Sequence, residues 1–187
     1  IEAVTAAGER LAAEAPEVIV ALSARWLSSG PFHADDARSH KSVIDLPAFG
    51  VEPRYDCAGH PALARALVED ATRTGVRAKC ARHGMDTGVS VPLHFLARER
   101  RLPVVPLSLS DGTREEHRAW GESIRHTLHR RRERIVFVVG GALAFNLHAY
   151  NLRRDLEESR ELDERVLAAV GRGRWSALAE LEPELLE

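Results

Sequence analysis

The feature that most restricts the fold of this chain is a set of three apolar runs, Val18 to Leu22 (VIVAL), Pro103 to Leu109 (PVVPLSL) and Ile135 to Val139 (IVFVV). Side chains of a β-strand point to opposite faces in turn, so a strand with one wet face alternates between apolar and polar residues. The first run is apolar at every position, as expected of a strand covered on both faces. Helices are the usual cover, and helical patterning surrounds the runs. These features predict an α/β fold: a mostly parallel central sheet flanked by helices on both faces.

The connecting segments fill in the order. Ile1 to Ala15 reads as an amphipathic helix ended by Pro16. Ser28 to Asp56, rich in Gly, Pro, Ser and Asp, reads as a long loop with a short strand near Val43 to Leu46. Pro61 opens a helix whose stripe is Leu63, Leu67, Val68 and Ala71 and which closes at Gly75. Val76 to Ala81 is a short extended piece, and Gly84 to Leu96 is a turn leading into a helix capped near Asp86. Asp111-Gly112-Thr113 turns into a polar helix running to about Arg132, and the third run is expected to be a buried strand. From Asn151 the pattern is again helical, with Gly171 and Gly173 dividing two helices. With 187 residues, 44% of them apolar, one core is the default, so residues 1–187 are expected to form a single domain. Short further segments are expected to lie beyond its two ends.

Charge and cysteine content narrow the partners. The 26 basic and 28 acidic residues leave a net charge of -2 and a pI near 6.5, so no positive field attracts nucleic acid or an anionic membrane. No stretch approaches the roughly 18 apolar residues of a membrane span, and the start lacks a basic-then-apolar signal pattern. Cys57 and Cys80 are too few for a disulfide framework or a thiolate zinc site. The expectation is a soluble protein of the reducing cytoplasm with neither nucleic acid nor membrane as partner.

Nine histidines raise the question of a metal, and spacing decides which could serve. There is no HExxH and no paired-cysteine motif. His126 and His129 share a helical face but adjoin Arg130, Arg131 and Arg132, so they read as a solvated basic helix end. His94 and His117 read as surface or satisfied core residues. His33, His40 and His60 lie in or beside the long loop and could converge on a pocket. Gly140 and Gly141 follow the third strand at its carboxyl end, where open α/β sheets place ligands. The third glycine of a nucleotide fingerprint and a P-loop lysine are missing, so tight strand-to-helix packing is the expected role. Ser23, Ser90, Ser108 and Ser110 lie outside any GxSxG context, which removes a serine hydrolase.

Several stretches, in order, resemble the class III (LigB-type) extradiol dioxygenases of aromatic compound metabolism. VIVALSARW (Val18 to Trp26) resembles the family's buried strand ending in Ser-x-His, and DCAGHPALARAL (Asp56 to Leu67) its following helix entry. GMDTGVSVPLHFL (Gly84 to Leu96) is the most specific, similar to an Asp-His-Gly turn leading into a Val-Pro-Leu helix. LPVVPLSLS (Leu102 to Ser110) and IVFVVGGALAFNL (Ile135 to Leu147) resemble the next two strands, the second entering a loop that carries a histidine. Leu162 to Glu187 is similar to the closing helices of short members.

The resemblance implies Fe(II) held by two histidines and a carboxylate, with open positions for O₂ and a catechol-like substrate, and a further histidine as base. At the matching positions stand Arg25 for the strand-end ligand, Thr87 for the histidine of Asp-His-Gly and Phe145 for the loop histidine. The first histidine ligand of the family would precede Ile1, and its carboxylate would fall near or after Glu187. A guanidinium stays protonated, a threonine hydroxyl does not exchange a proton near neutrality, and a phenyl ring offers no lone pair. Three functions follow as alternatives. The favoured one is a non-catalytic paralogue without metal or other cofactor, pairing with itself or with a related active subunit. The second is a binding module in which Arg25, with His33, His40, His60 or Asn146, holds a small aromatic or carboxylated ligand. The third is a working Fe(II)-dependent dioxygenase with a rebuilt site of His83, Asp86 and His148.

Overall fold

In the computed structural model of the chain, which describes residues 2–43, 54–97, 100–141, 143, 152–154 and 156–180, the first apolar run lies in an eleven-residue strand whose side chains divide by parity. Val18 and Val20 pack with Leu63, Leu67, Trp120 and Ile124 on one face. Ile19 and Ala21 pack with Met85, Val89 and Leu93 on the other. Each fully buried side chain of this size contributes roughly 1.5–3 kcal/mol, so a polar residue at either parity would weaken one core or the other. That is why the run cannot alternate.

In chain order the elements of the first part are α1 (Glu2–Ala13), β1 (Val18–Ser28), β2 (Phe32–Asp35), β3 (Ser39–His40), β4 (Cys57–Ala58), α2 (Pro61–Arg73) and β5 (Ala78–Ala81). Then come α3 (Thr87–Leu96), β6 (Val104–Ser110), α4 (Arg114–His129), β7 (Ile135–Gly140) and α5 (Glu157–Gly171), followed by a 3-10 helix at Trp175–Glu180. The five-stranded sheet has the order β5-β2-β6-β1-β7. β1 is parallel to β6 and to β7, β2 is parallel to β5, and the blocks meet antiparallel where Ala34 faces Leu107. Helices α2 and α4 supply one core and α3, with Leu11 of α1, the other. The expected fold, a mostly parallel sheet with helices on both faces, is observed.

The helix ends follow local chemistry. Thr113 and Glu116 form a reciprocal capping box at the start of α4, and Asp86 caps α3 by accepting from the Val89 amide. Gly173 adopts a φ of +66°, and the amides of Gly173 and Arg174 return to the carbonyls of Val170 and Ala169. This left-handed stop closes α5 where the glycines predicted a break. The expected last helix is the 3-10 helix over the residues described.

Two expectations need correction. The supposed long loop carries β2, an inner strand of the sheet, and β3, which pairs antiparallel with β4. At four residues, FHAD, β2 is too short for periodicity to register, and it buries an aspartate. The strand expected at Val43 to Leu46 lies mostly outside the described residues. The second correction concerns β7, expected as a buried strand. It ends the sheet among the described residues, and Phe137 and Val139 are 43% and 62% exposed. Ile135 packs against one core and Val138 against the other, but Phe137 and Val139 face outward, so an apolar composition did not mean two fully covered faces.

The chain divides into two compact units, Ile1–Gly141 with the sheet and Ala142–Glu187 with α5 and the 3-10 helix. No helix among the described residues is long and apolar enough to cross a membrane.

Candidate functional site

The register between β1 and β6 shifts between Ser23 and Leu27. Such an irregularity re-aims the side chains within it, and here these include Arg25 and Trp26. Beside it, the backbone of Gly140 at the end of β7 lies against that of Gly88 in α3. A Cβ on Gly140 would overlap the Gly88 carbonyl oxygen, so the tight packing expected of this glycine is present, with α3 as its partner. The contact fixes the first turn of α3 beside the end of β1.

Asp86 is the hub of this corner. Ser23 donates to both of its carboxylate oxygens, at 2.7 and 2.8 Å. The Val89 amide donates at 3.2 Å and His83 Nε2 lies at 3.1 Å. A carboxylate only 2% exposed needs such a set, because an unpaired buried charge is strongly unfavourable. Facing a pure acceptor, His83 Nε2 carries the hydrogen. The order is hydroxyl, carboxylate, imidazole, and no hydrogen bond joins Ser23 to His83 among the described residues. The hydroxyl of Ser23 is thus held by a carboxylate and not by an imidazole.

A second buried carboxylate positions His83. Asp35, fully buried at the end of β2, accepts from the amides of Ala37, His83 and Gly84 at 2.9, 2.7 and 2.8 Å. The His83 ring stacks on Trp26 with centroids 4.3 Å apart, and Trp26 also stacks with His33 at 5.7 Å. Burial, reinforced by Lys79 and His83, lowers the pKa of His33 below the ordinary 6.5. Sequence reasoning missed Asp35, Ser23 and Trp26. The alternation in FHAD was the one signal that could have exposed Asp35.

The remaining expected residues separate into distinct roles. Arg25 is exposed, and its Cγ lies close to Gly88 in the first turn of α3; Thr87 is the first residue of that helix. His40 is buried with Nε2 3.1 Å from the Val104 carbonyl and Nδ1 3.6 Å from Asp35. His60 caps α2 by accepting from the Leu63 amide at 3.1 Å, with Nε2 3.6 Å from Glu133. Of the three loop histidines, only His33 stacks with the ring cluster beside Asp86. Phe145, Asn146 and His148 lie outside the described residues. Burial raises both thiols, Cys57 to about 12, so neither is a nucleophile near neutrality.

Whether the residues present suit the iron implied by the resemblance can be tested on the donors themselves. Among the described residues no three His, Cys, Asp or Glu side chains are grouped to hold a metal ion. His83 is committed to Asp86 and Asp86 to both His83 and Ser23, and the strand-end position is a guanidinium. These residues do not fit a ferrous centre.

The family model for the catalytic LigB subunit of aromatic ring-opening dioxygenase matches residues 1–187. A 3,4-dihydroxyphenylacetate 2,3-dioxygenase of Escherichia coli is 23% identical over 188 residues, covering 90% of this chain and 66% of that protein. A crystal structure of an uncharacterized Escherichia coli protein matches with a TM-score of 0.66 at 23% identity, over 88% of this chain and 64% of that one. The chain thus spans just under two thirds of the length of either, and the structural likeness at this identity concerns the fold.

Proposed function

The chain belongs to the family of the catalytic LigB subunit of aromatic ring-opening dioxygenases, and on that premise we propose that it is a non-catalytic member, a cytoplasmic partner subunit that keeps the scaffold without the iron site. The observation that supports this is the corner around Arg25. Its side chain is permanently cationic and lies along the first turn of α3, where it repels a divalent ion. The nearest substitutes are spent, because freeing Asp86 from Ser23, Val89 and His83 costs roughly 1.5–3 kcal/mol for each charge-assisted hydrogen bond. No cofactor is required, and the partner is a second copy of the chain or a histidine-bearing relative.

Anaerobic incubation with Fe(II), desalting and metal analysis test this directly. The expected result is iron at the level of the buffer. About one iron retained per chain would overturn the proposal and support the rebuilt site of His83, Asp86 and His148. Isolation from the native source should give a homo-oligomer or a complex with a related chain, and a monodisperse monomer would count against the partner role.

A second reading has its own observation. Arg25 lies beside the positive end of the α3 dipole, a setting suited to the carboxylate of a small ligand. Thermal shifts with aromatic acids that vanish in Arg25→Ala would support it. Equal shifts in both proteins, or none in either, would remove it.

A further inference from the structure

At the carboxyl ends of β2 and β5 lies a cleft of about 770 Å³ whose wall carries Arg38, Lys41, Arg65 and Arg82. Two carboxylates share the wall, and both are engaged. Asp35 is held by three backbone amides, and Asp36 pairs with Arg65 at 3.2 Å. Arg38, Lys41 and Arg82 are exposed and have no carboxylate partner among the described residues. Like charges around one cavity repel each other, and a bound anion relieves that repulsion.

A second observation comes from the wall itself. His40 lines the cleft but is only 2% exposed. Its Nε2 lies 3.1 Å from the Val104 carbonyl and so carries the hydrogen, which leaves Nδ1 with no hydrogen-bond partner. Buried polar atoms are seldom left this way. The His40 side chain has no accessible surface and its Nδ1 lies 3.6 Å from Asp35 Oδ2, so His40 braces the wall that carries the cations rather than meeting a ligand itself.

We infer that the cleft binds a small organic dianion, of the phosphate-monoester or dicarboxylate kind. Arg38 and Arg82 act as the recognising forks and Lys41 as a point charge. Guanidinium forks match the paired oxygens of either group, and two negative charges suit three cations without partners. The cleft borders the corner around Asp86 through His83, but Ser23, Arg25 and Asp86 do not line it, and the recognising cations belong to the cleft alone.

Isothermal titration of the full chain at low ionic strength tests it, with inorganic phosphate and succinate as probes and sodium chloride of matched ionic strength as the blank. Arg118→Gln, on the exposed face of α4, serves as the control variant. At least one probe should bind saturably, weakened about tenfold or more by the double change Arg38→Gln and Arg82→Gln, as loss of charge-assisted hydrogen bonds implies, and unaffected in the control. Phosphate alone would point to a phosphorylated compound, succinate alone to a dicarboxylic acid, and both to the shared chemistry. Circular dichroism checks folding, and Lys41→Gln takes the place of the double variant should that one not fold. No saturable binding of either probe, or affinity unchanged in the cleft variants, or the same loss in the control, would overturn the inference.

Discussion

Asp35 and Asp86 are both buried, but their partners differ in kind, and so should the consequences of removing them. The three donors to Asp35 are main-chain amides that cannot turn away. Asp35→Ala therefore leaves up to three part-buried donors without their acceptor, at roughly 1 kcal/mol each, and chemical denaturation should register a loss of about 3 kcal/mol. Asp86→Asn keeps an acceptor for Val89 and Ser23 and should cost less, about 1–2 kcal/mol. A smaller loss for Asp35→Ala than for Asp86→Asn would refute the anchoring role. The buried histidines give a pH dependence of definite sign. Burial is the largest influence on His40 and on His33 and holds both below the ordinary 6.5, with the nearby Asp35 carboxylate opposing it at His40. Their neutral folded forms bind fewer protons than the unfolded chain. The stability they protect is present above the unfolded value near 6.5 and is lost as pH falls from there through the folded values. Denaturation midpoints measured on the acid side of that value should fall with pH, less steeply in His40→Phe than in the wild type; parallel profiles would refute the assignment to His40.

Among the elements, α3 and β7 are joined by the least forgiving contact. Gly140→Ala forces a methyl group into the Gly88 carbonyl, and since both sides are backbone the strain cannot be relieved by a rotamer change. Overpacking of this kind costs about 1–3 kcal/mol or more. Thermal unfolding should show a clear drop, whereas Gly121→Ala, with open space at its Cβ on α4, should not; equal midpoints would deny the close approach. The same contrast between long and short signals explains what could be read in advance. α2 was legible from its apolar stripe between Pro61 and Gly75, α3 from the turn and cap near Asp86, and α4 from the Asp111-Gly112-Thr113 turn that opens it. β2 was not, since four residues with one buried aspartate resemble a turn. At the site, His83 and Asp86 were recognisable from the motif around them. Ser23 was visible only as an unremarkable strand residue, because its role comes from a partner 63 positions away, a distance no local pattern spans.

At the scale of the whole sheet, strand position should govern how backbone amides open. β1 and β6 lie inside the order β5-β2-β6-β1-β7 and are paired on both sides, whereas β7 is paired only with β1 among the described residues. In a parallel pair, alternate amides of a strand point toward its neighbour and the others point away. Hydrogen exchange on the native protein should therefore find β1 slow from Ile19 to Ser23, where β6 and β7 both pair with it, and β7 slow at every second residue and fast between. The exposed Phe137 and Val139 make this edge a natural template for pairing with another chain. The pattern therefore bears on whether β7 is where a partner subunit would join. Exchange in the isolated chain that alternates along β7, and becomes uniformly slow in an oligomer, would place that junction on the β7 edge. Alternation unchanged by assembly would place it elsewhere, and uniform protection in the isolated chain would mean that the sheet does not end at β7.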